Sequence, residues 1–522
     1  MAGLYAALLA LVVAFHLGSG SERSELGAHP DEAAHFVTGL MVRDYLRSGF
    51  HEAPLRYADG YYRHYPKIGL GNWPPVFYIL QAAWMLVFPP GVGTVLHLVS
   101  ALGLVLALVT GWWLWRDFGP VEAAAGTVLL TALPLVQMYS NMVMAEVLSA
   151  LLMFGAAGYF ARYLEGEEWP GAVGFGLCAG LSIMTKGTGL ALAFVPPFAI
   201  AFTGRSDLLR RASLWVAALL AALIAGPWTW HFRGQATLRF TEGAVGYYGL
   251  EICVALGWML TLLALLGAVS LFRPGGKRPA IALCSLALVM GVWIFQCLMP
   301  VGLEARHLMP AMPALVVLAM AGLGVLTRRC RSGARVAVAG GLMAVFFAWP
   351  VIFRPPAPVP GYGSLGSRVS VSPFRVPAKK WGGFEPVAEA AMEAGPETRI
   401  LVASDARGEG MFIADVAELD PKRPSYTVER ASKLMASSKW SGLGYRSLYT
   451  TPAEVLAMLG QSGIGTVVTD VSPERIPPHD QLLLRAVGPP PSPFASMGTW
   501  TIIRDGTEMP AAAEVFRRAT AH

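Results

Sequence analysis

The sequence predicts a polytopic α-helical membrane protein that carries a small extracytoplasmic α/β domain after its last span. Three observations predict it. The chain is 54% hydrophobic and only 14% charged, against about a quarter charged in soluble domains. Before position 353 the apolar residues gather in repeated stretches of about 16–24 residues, each long enough to cross a hydrocarbon core of about 30 Å as a helix. Beyond that point the composition becomes that of a soluble domain.

The elements follow in order. Residues 3–18 form the first apolar stretch, and no Lys or Arg precedes it. A signal peptide would need a basic start and would not be followed by so many further spans, so this is read as a retained first helix. A polar stretch, 19–72, is too long for a turn. Residues 73–88 are apolar but framed by Trp73-Pro74-Pro75 and Pro89-Pro90, and charge counting decides whether they cross. If they lie along the surface, Arg116, Arg162, Arg205, Arg210, Arg211, Arg273, Lys277, Arg278, Arg328, Arg329, Arg331 and Arg335 share one side. The opposite short loops hold only Lys186, Arg233, Arg239 and Arg306, so the ratio is 12 to 4. Cytoplasmic loops carry the excess of Lys and Arg, so 73–88 is interfacial.

About eleven spans result, near 3–19, 92–115, 120–139, 143–163, 170–185, 188–203, 212–231, 252–272, 280–299, 307–326 and 335–353. The amino terminus is then cytoplasmic, and the long loop 19–91 is outside with its interfacial helices. Residues 1–353 make the transmembrane domain, and 354–378, rich in Pro, Gly and Ser, the linker. Residues 379–522 make the soluble extracytoplasmic domain. In it, 399–403 and 465–469 read as short buried strands, 453–461 as a helix and 499–503 as a further strand.

The net charge of +6 is not a nucleic-acid signal, because much of the positive charge sits in short loops between spans, where it sets topology. The five cysteines, Cys178, Cys253, Cys284, Cys297 and Cys330, match no zinc spacing and read as buried free thiols. No nucleotide-binding fingerprint is present; Gly408 and Gly410 alone do not make one.

Four clusters carry chemistry. The first is His29-Pro30-Asp31-Glu32-Ala33-Ala34-His35, just after the first span. Carboxylates there favour a helix start, and the helix at 33–48 has a mixed face suited to a membrane surface. A carboxylate at the water–lipid boundary is placed to take a proton from an acceptor hydroxyl or amine. His29, Asp31 and His35 are also metal-ligating types, so a divalent metal is the one cofactor left open. The second cluster is Asn141 to Glu146, where Glu146 is the only acid between Glu122 and Glu165. An ionisable group among spans is a functional candidate. The third is Thr185-Lys186-Gly187-Thr188-Gly189, a tight turn whose lysine suits a phosphate as a point charge. The fourth is Glu304-Ala305-Arg306-His307, followed by Pro310 and Pro313; Arg306 can grip phosphate oxygens in a fork. By the topology above, all four lie on the outer face.

At these residues the chain resembles the membrane glycosyltransferases of GT-C type, in the protein O-mannosyltransferase and lipid A aminoarabinose transferase superfamily. The resemblance covers about 1–353. Members share an Asp-Glu pair in a long first outer loop, matched by Asp31-Glu32, and a Tyr/Lys/Pro-rich stretch similar to 61–75, with Tyr65 and Lys67. A second acid, a Thr-Lys-Gly turn and an Arg-(Tyr/His)-x-x-Pro-x-x-Pro-Ala run resemble Glu146, Thr185-Lys186-Gly187 and 306–314. Here the second acid is Glu where Asp is common, His307 stands where Tyr is usual, and the aminoarabinose Glu-Lys-Pro pattern reads Pro66-Lys67-Ile68.

The resemblance implies an inverting transfer of a sugar from a polyprenyl-phosphate donor to an extracytoplasmic protein, lipid or glycan, in the inner or plasma membrane. It makes Asp31, with Glu32 and Glu146, the catalytic carboxylates. Lys67, Lys186, Arg306, His307 and Tyr65 become the substrate-binding set. Two other classes fit part of the pattern: a secondary transporter, which would show inverted repeats and mid-membrane charges, and a non-catalytic lipid-sugar binding protein of the same fold.

Overall fold

The computed structural model describes all residues except 1, 22–24, 70, 72, 167, 233–239, 241, 276–277, 300–301, 353–381, 438–443, 473–476, 489, 504–510 and 520–522. The predicted linker, 354–378, lies outside the described residues, as do Arg233, Arg239 and Lys277 of the charge count.

The first part of the chain is helical: α1 Ala2–Ser19, α2 Glu32–Arg47, α3 Pro54–His64, α4 Val76–Val87, α5 Val92–Asp117, α6 Pro120–Ala132, α7 Pro134–Ser140, α8 Glu146–Leu164 and α9 Glu168–Ile183. It continues through α10 Val195–Thr203, α11 Ala212–His231, α12 Glu242–Leu256, α13 Trp258–Ser270, α14 Ala280–Leu298, α15 Met312–Leu326 and α16 Ser332–Ile352. Short 3-10 segments precede α10, α11 and α15, at Gly187–Phe194, Ser206–Arg210 and Ala305–Ala311. The remainder alternates: α17 Glu385–Met392, β1 Arg399–Ala403, α18 Gly408–Leu419, β2 Val428–Arg430, α19 Ala431–Leu434, β3 Ala436–Ser437, β4 Arg446–Ser447, α20 Pro452–Gln461, β5 Ile464–Asp470, α21 Pro478–Val487, β6 Phe494–Ile502 and β7 Ala511–Arg518.

Among the described residues five helices are long and apolar enough to cross a membrane: α5, α8, α11, α14 and the continuous Ala305–Leu326. Two bent pairs raise the number to seven, and the other expected spans fall on α1, 187–203, α16 and the 16-residue α9. The breaks have local causes. Leu133, held extended at ψ 128° ahead of Pro134, has the backbone that a residue before proline prefers, so α6 stops and α7 restarts at a bend of 63°. Gly257, at φ 75° and ψ 151°, adopts a conformation open to glycine and turns α12 into α13 by 109°. Helix α4, at 12 residues, rises about 18 Å, less than a hydrocarbon core of about 30 Å.

Two compact units result: Met1–Ser19, Gly71–Phe77 and Leu98–Ala378 in one, and Gly20–Leu70, Tyr78–His97 and Lys379–His522 in the other. In the first, α8 packs on α9, α9 on α11, and α13 on α15. Helices α13 and α15 touch through glycine: a Cβ at Gly267 would lie 2.0 Å from the Leu318 carbonyl oxygen, and one at Gly322 2.1 Å from that of Leu263. Small residues let helix backbones approach closely in this way. Ion pairs join loops that the charge count assigns to the same side: Arg116 with Glu165, Arg335 with Glu122, and Arg211 with Glu168. The five cysteines are free thiols, but only Cys284 and Cys297 are buried; Cys178 and Cys253 are half-buried, and Cys330 is exposed in the arginine-rich loop before α16.

The second unit holds a five-stranded sheet of order β2-β1-β5-β7-β6, parallel between β2, β1 and β5 and antiparallel beyond. The strands and helix expected at 399–403, 465–469, 453–461 and 499–503 correspond to β1, β5, α20 and β6. Leu401 pairs with Val467 in register, and both pack with residues of α19, α20 and α21 in one buried cluster. Helix α18 packs against β1, α17 and α2. Helix α2 therefore differs from a surface-lying helix: Glu32 to Met41 are buried without interruption, because α3 and α18 pack on it and α4 reaches it. Gln81 sits where a Cβ on Gly39 would go, and the Arg43 Nε donates to the Met85 carbonyl at 3.0 Å.

Candidate active site

In the helical unit, Glu146 opens α8, where the positive end of the helix dipole favours a carboxylate. Its side chain is 1% exposed. Lys186, in the turn after α9, donates to Glu146 Oε1 at 2.6 Å. Gly189 explains the tightness of that turn: a Cβ there would lie within 2.7 Å of both the Ser182 carbonyl carbon and the Ile183 nitrogen. Arg306 lies in the 3-10 segment at the head of Ala305–Leu326, the most enclosed of the five long apolar helices among the described residues. Its Nη1 is 3.8 Å from Glu146 Oε1, and its Nε is 2.8 Å from Glu304 Oε2.

Two cations and two carboxylates thus balance, which is how buried charge is tolerated. Lysine offers three donors and arginine five, the charged donor types that grip phosphate oxygens. His307 is buried, with Nδ1 2.8 Å from the Tyr248 hydroxyl, which donates to the Gly302 carbonyl at 3.0 Å. That donation leaves Nδ1 to carry its proton toward Tyr248. Asn141 does not join this set. It bonds His16 at 2.8 Å, as does Ser100.

In the other unit, Asp31 stands at the N-cap position of α2 with no side-chain capping bond, and Glu32 is the helix's first residue. Glu32 is fully buried, and its Oε2 accepts the amides of Ala28 and His29 at 3.0 and 3.2 Å. It braces the turn that presents Asp31. The Asp31 side chain keeps 18% exposure, and its Oδ2 lies 3.5 Å from His29 Nδ1. Of the acidic pair, Asp31 is the one that solvent reaches. His35 turns instead to the Tyr78 hydroxyl, 2.8 Å away, and among the described residues no three of His, Cys, Asp and Glu are arranged to hold a metal.

Lys67 donates to the carbonyls of Pro30 at 3.1 Å and Ala406 at 3.3 Å. Burial first, and Arg430 next, push its ammonium down to about 8. Tyr65 is buried, and its hydroxyl donates to Asp420; burial and that carboxylate hold the phenol far above its ordinary range. Sequence reasoning missed Tyr248, Asp420, Glu409 and Arg430. The last three lie in a segment of ordinary soluble composition, where a charged residue carries no signal of its own.

A family model described as dolichyl-phosphate-mannose-protein mannosyltransferase matches residues 72–231. No curated protein matches the sequence. Among solved structures, ArnT from Cupriavidus metallidurans bound to undecaprenyl phosphate shares the fold at a TM-score of 0.62 and 16% identity, over 98% of each chain. The archaeal oligosaccharyltransferase AglB from Archaeoglobus fulgidus, in complex with an inhibitory peptide and a dolichol-phosphate, does so at 0.51 and 12%, over 89% of this chain and 69% of that one. The apolar helices make this an integral membrane protein. With the family model over 72–231 and a fold shared along nearly its whole length, the chain has the GT-C fold of the membrane glycosyltransferases that its motifs resemble.

Proposed function

We propose that the protein transfers a sugar from a polyprenyl phosphate to an acceptor hydroxyl or amine on the extracytoplasmic face, with inversion at the anomeric carbon. The observation that carries this is the Glu146–Lys186–Arg306 set, two cations fixed beside one buried carboxylate at the ends of apolar helices. The lipid phosphates named with ArnT and AglB support the donor class.

Lys186 and Arg306 hold the donor phosphate and stabilise the charge it gains as it leaves. Glu146 and Glu304 keep the two cations in place before the donor binds. His307, held by Tyr248, lines the same cluster. Asp31 takes the acceptor proton, the acceptor atom attacks the anomeric carbon, and the carbon–oxygen bond to phosphate breaks with its electron pair on the leaving polyprenyl phosphate. Glu32 fixes the turn, and Tyr65 acts through Asp420. A transporter has less support. Its broken helices should centre on charge, whereas the breaks at Leu133 and Gly257 carry none and the charged set sits at helix ends.

The test is turnover of radiolabelled polyprenyl-phosphate sugars by the purified full chain with membrane extract, wild type beside Asp31→Asn. Loss of the base should lower turnover by about 10²–10⁴-fold with donor binding retained. Equal turnover by the two proteins would remove Asp31 from the chemistry.

A further inference from the structure

Lys67 is held by the carboxy-terminal part of the chain. One of its hydrogen bonds goes to the carbonyl of Pro30, the residue before Asp31, and another to the carbonyl of Ala406, in the loop from β1 to α18. The first turn of α18 is built to meet it. At Gly410 a Cβ would fall 2.8 Å from Lys67 Cε and 3.2 Å from the Ala33 Cβ on α2, so glycine alone leaves room for the lysine stem between the two helices.

That turn is itself anchored. Asp405 Oδ1 accepts the amides of Arg407 and Gly408 at 3.0 and 2.8 Å. The fully buried Glu409 takes Arg430 Nε at 2.7 Å and the Ser432 amide and hydroxyl at 2.9 and 2.6 Å, tying α18 to the end of β2. The groups facing the ammonium from these elements are Arg430, Glu409, Asp31 and Asp405.

We propose that the first turn of α18 is a positioning element for the candidate base: through Lys67 it fixes the Pro30–Asp31 turn. Lys67 is then a positioning residue. Two of its three donors are spent on main-chain carbonyls, and its positive charge faces the Asp31 carboxylate. The proposal rests on the glycosyl-transfer reading for its consequence in rate, and stands on its own for its consequence in structure.

Gly410→Ala separates this role from a structural one. Alanine is the better helix former, the nearest atom its Cβ meets is the far end of a flexible side chain, and the Ala33 Cβ at 3.2 Å needs to give by only a few tenths of an ångström, so the helix survives while Lys67 is pushed off its carbonyls. In the full chain, Gly410→Ala and Lys67→Met should each lower kcat by about a hundredfold, the size of a 1 Å misplacement, with donor KM unchanged. Both should speed hydrogen exchange of the amides of 31–35. A purely structural α18 predicts the opposite for Gly410→Ala: unchanged or higher thermal stability, with kcat and exchange as in wild type. That result would overturn the proposal. Absence of turnover in the wild type would overturn the glycosyl-transfer reading instead, and exchange at 31–35 would still decide for or against the contact.

Discussion

Arg306 carries a sharp test of the charged set. Its Nη2 donates to Glu304 Oε1 at 3.3 Å while its Nη1 lies toward Glu146, a planar geometry that a lysine point charge does not reproduce. Arg306→Lys should therefore cost about 2 kcal/mol, the scale of one hydrogen bond to a charged group, or roughly a thirtyfold fall in kcat/KM. Wild-type kinetics in that variant would mean that only the charge matters there. Glu146, Lys186 and Arg306 are legible in the sequence because charge is scarce in the spans. Each is an ionisable group in or beside an apolar run, where removing a buried partner costs several kcal/mol, so a partner is required. Which partner is not legible, because Lys186 and Glu146 meet across 40 residues. Asn141 shows the same limit: it stands close to Glu146 in the chain, yet its side chain turns to His16.

At the scale of elements, Gly267 and Gly322 set how closely α13 and α15 approach. Gly322→Val should force these backbones apart and cost about 1–3 kcal/mol, the range for overpacking, seen as a lower midpoint of thermal unfolding. Gly324→Ala, where a Cβ meets nothing within 4 Å, should leave the midpoint unchanged or raise it. Equal midpoints for wild type and Gly322→Val would show that the contact is not tight. This packing is not legible in the sequence, since a glycine in an apolar helix does not name its neighbour. Apolar length locates the spans, but their breaks depend on single residues. Pro134 and Gly257 each stand inside a stretch that reads as one continuous span, and each divides it. Helix α2 departs from a surface helix for a related reason: its mixed composition is met by α3 and α18, elements that its own sequence does not mention.

At the scale of the molecule, composition separates spans from soluble sequence, but it does not show that the long first loop folds with the carboxy-terminal sheet. The groups that join them are common polar residues. Glu25 accepts the amides of Gly383, Phe384 and Glu385. Arg423 reaches Asp44 at 3.0 Å, and its Nη1 donates to the carbonyls of Ala417, Glu418 and Asp420. Removing one member of a fully buried ion pair strands the other at about 3–5 kcal/mol, an upper limit for this pair, whose side chains keep 11% and 12% exposure. Arg423→Ala should accordingly lower the stability of the sheet-containing unit by up to that amount, read as faster proteolysis within the loop 48–53. Unchanged cleavage there would show that the ion pair does not hold the unit together.

The hydrogen bond between Lys67 and Ala406 spans 339 residues of chain. At roughly 5–20 residues per second, a ribosome needs about 17–70 s to travel that distance. During this interval the first loop has emerged without the strands and helix that complete its fold. The Asp31 turn is thus made well before the segment that completes it, and a chain not yet extended to Ala406 lacks the contact that holds its candidate base in place.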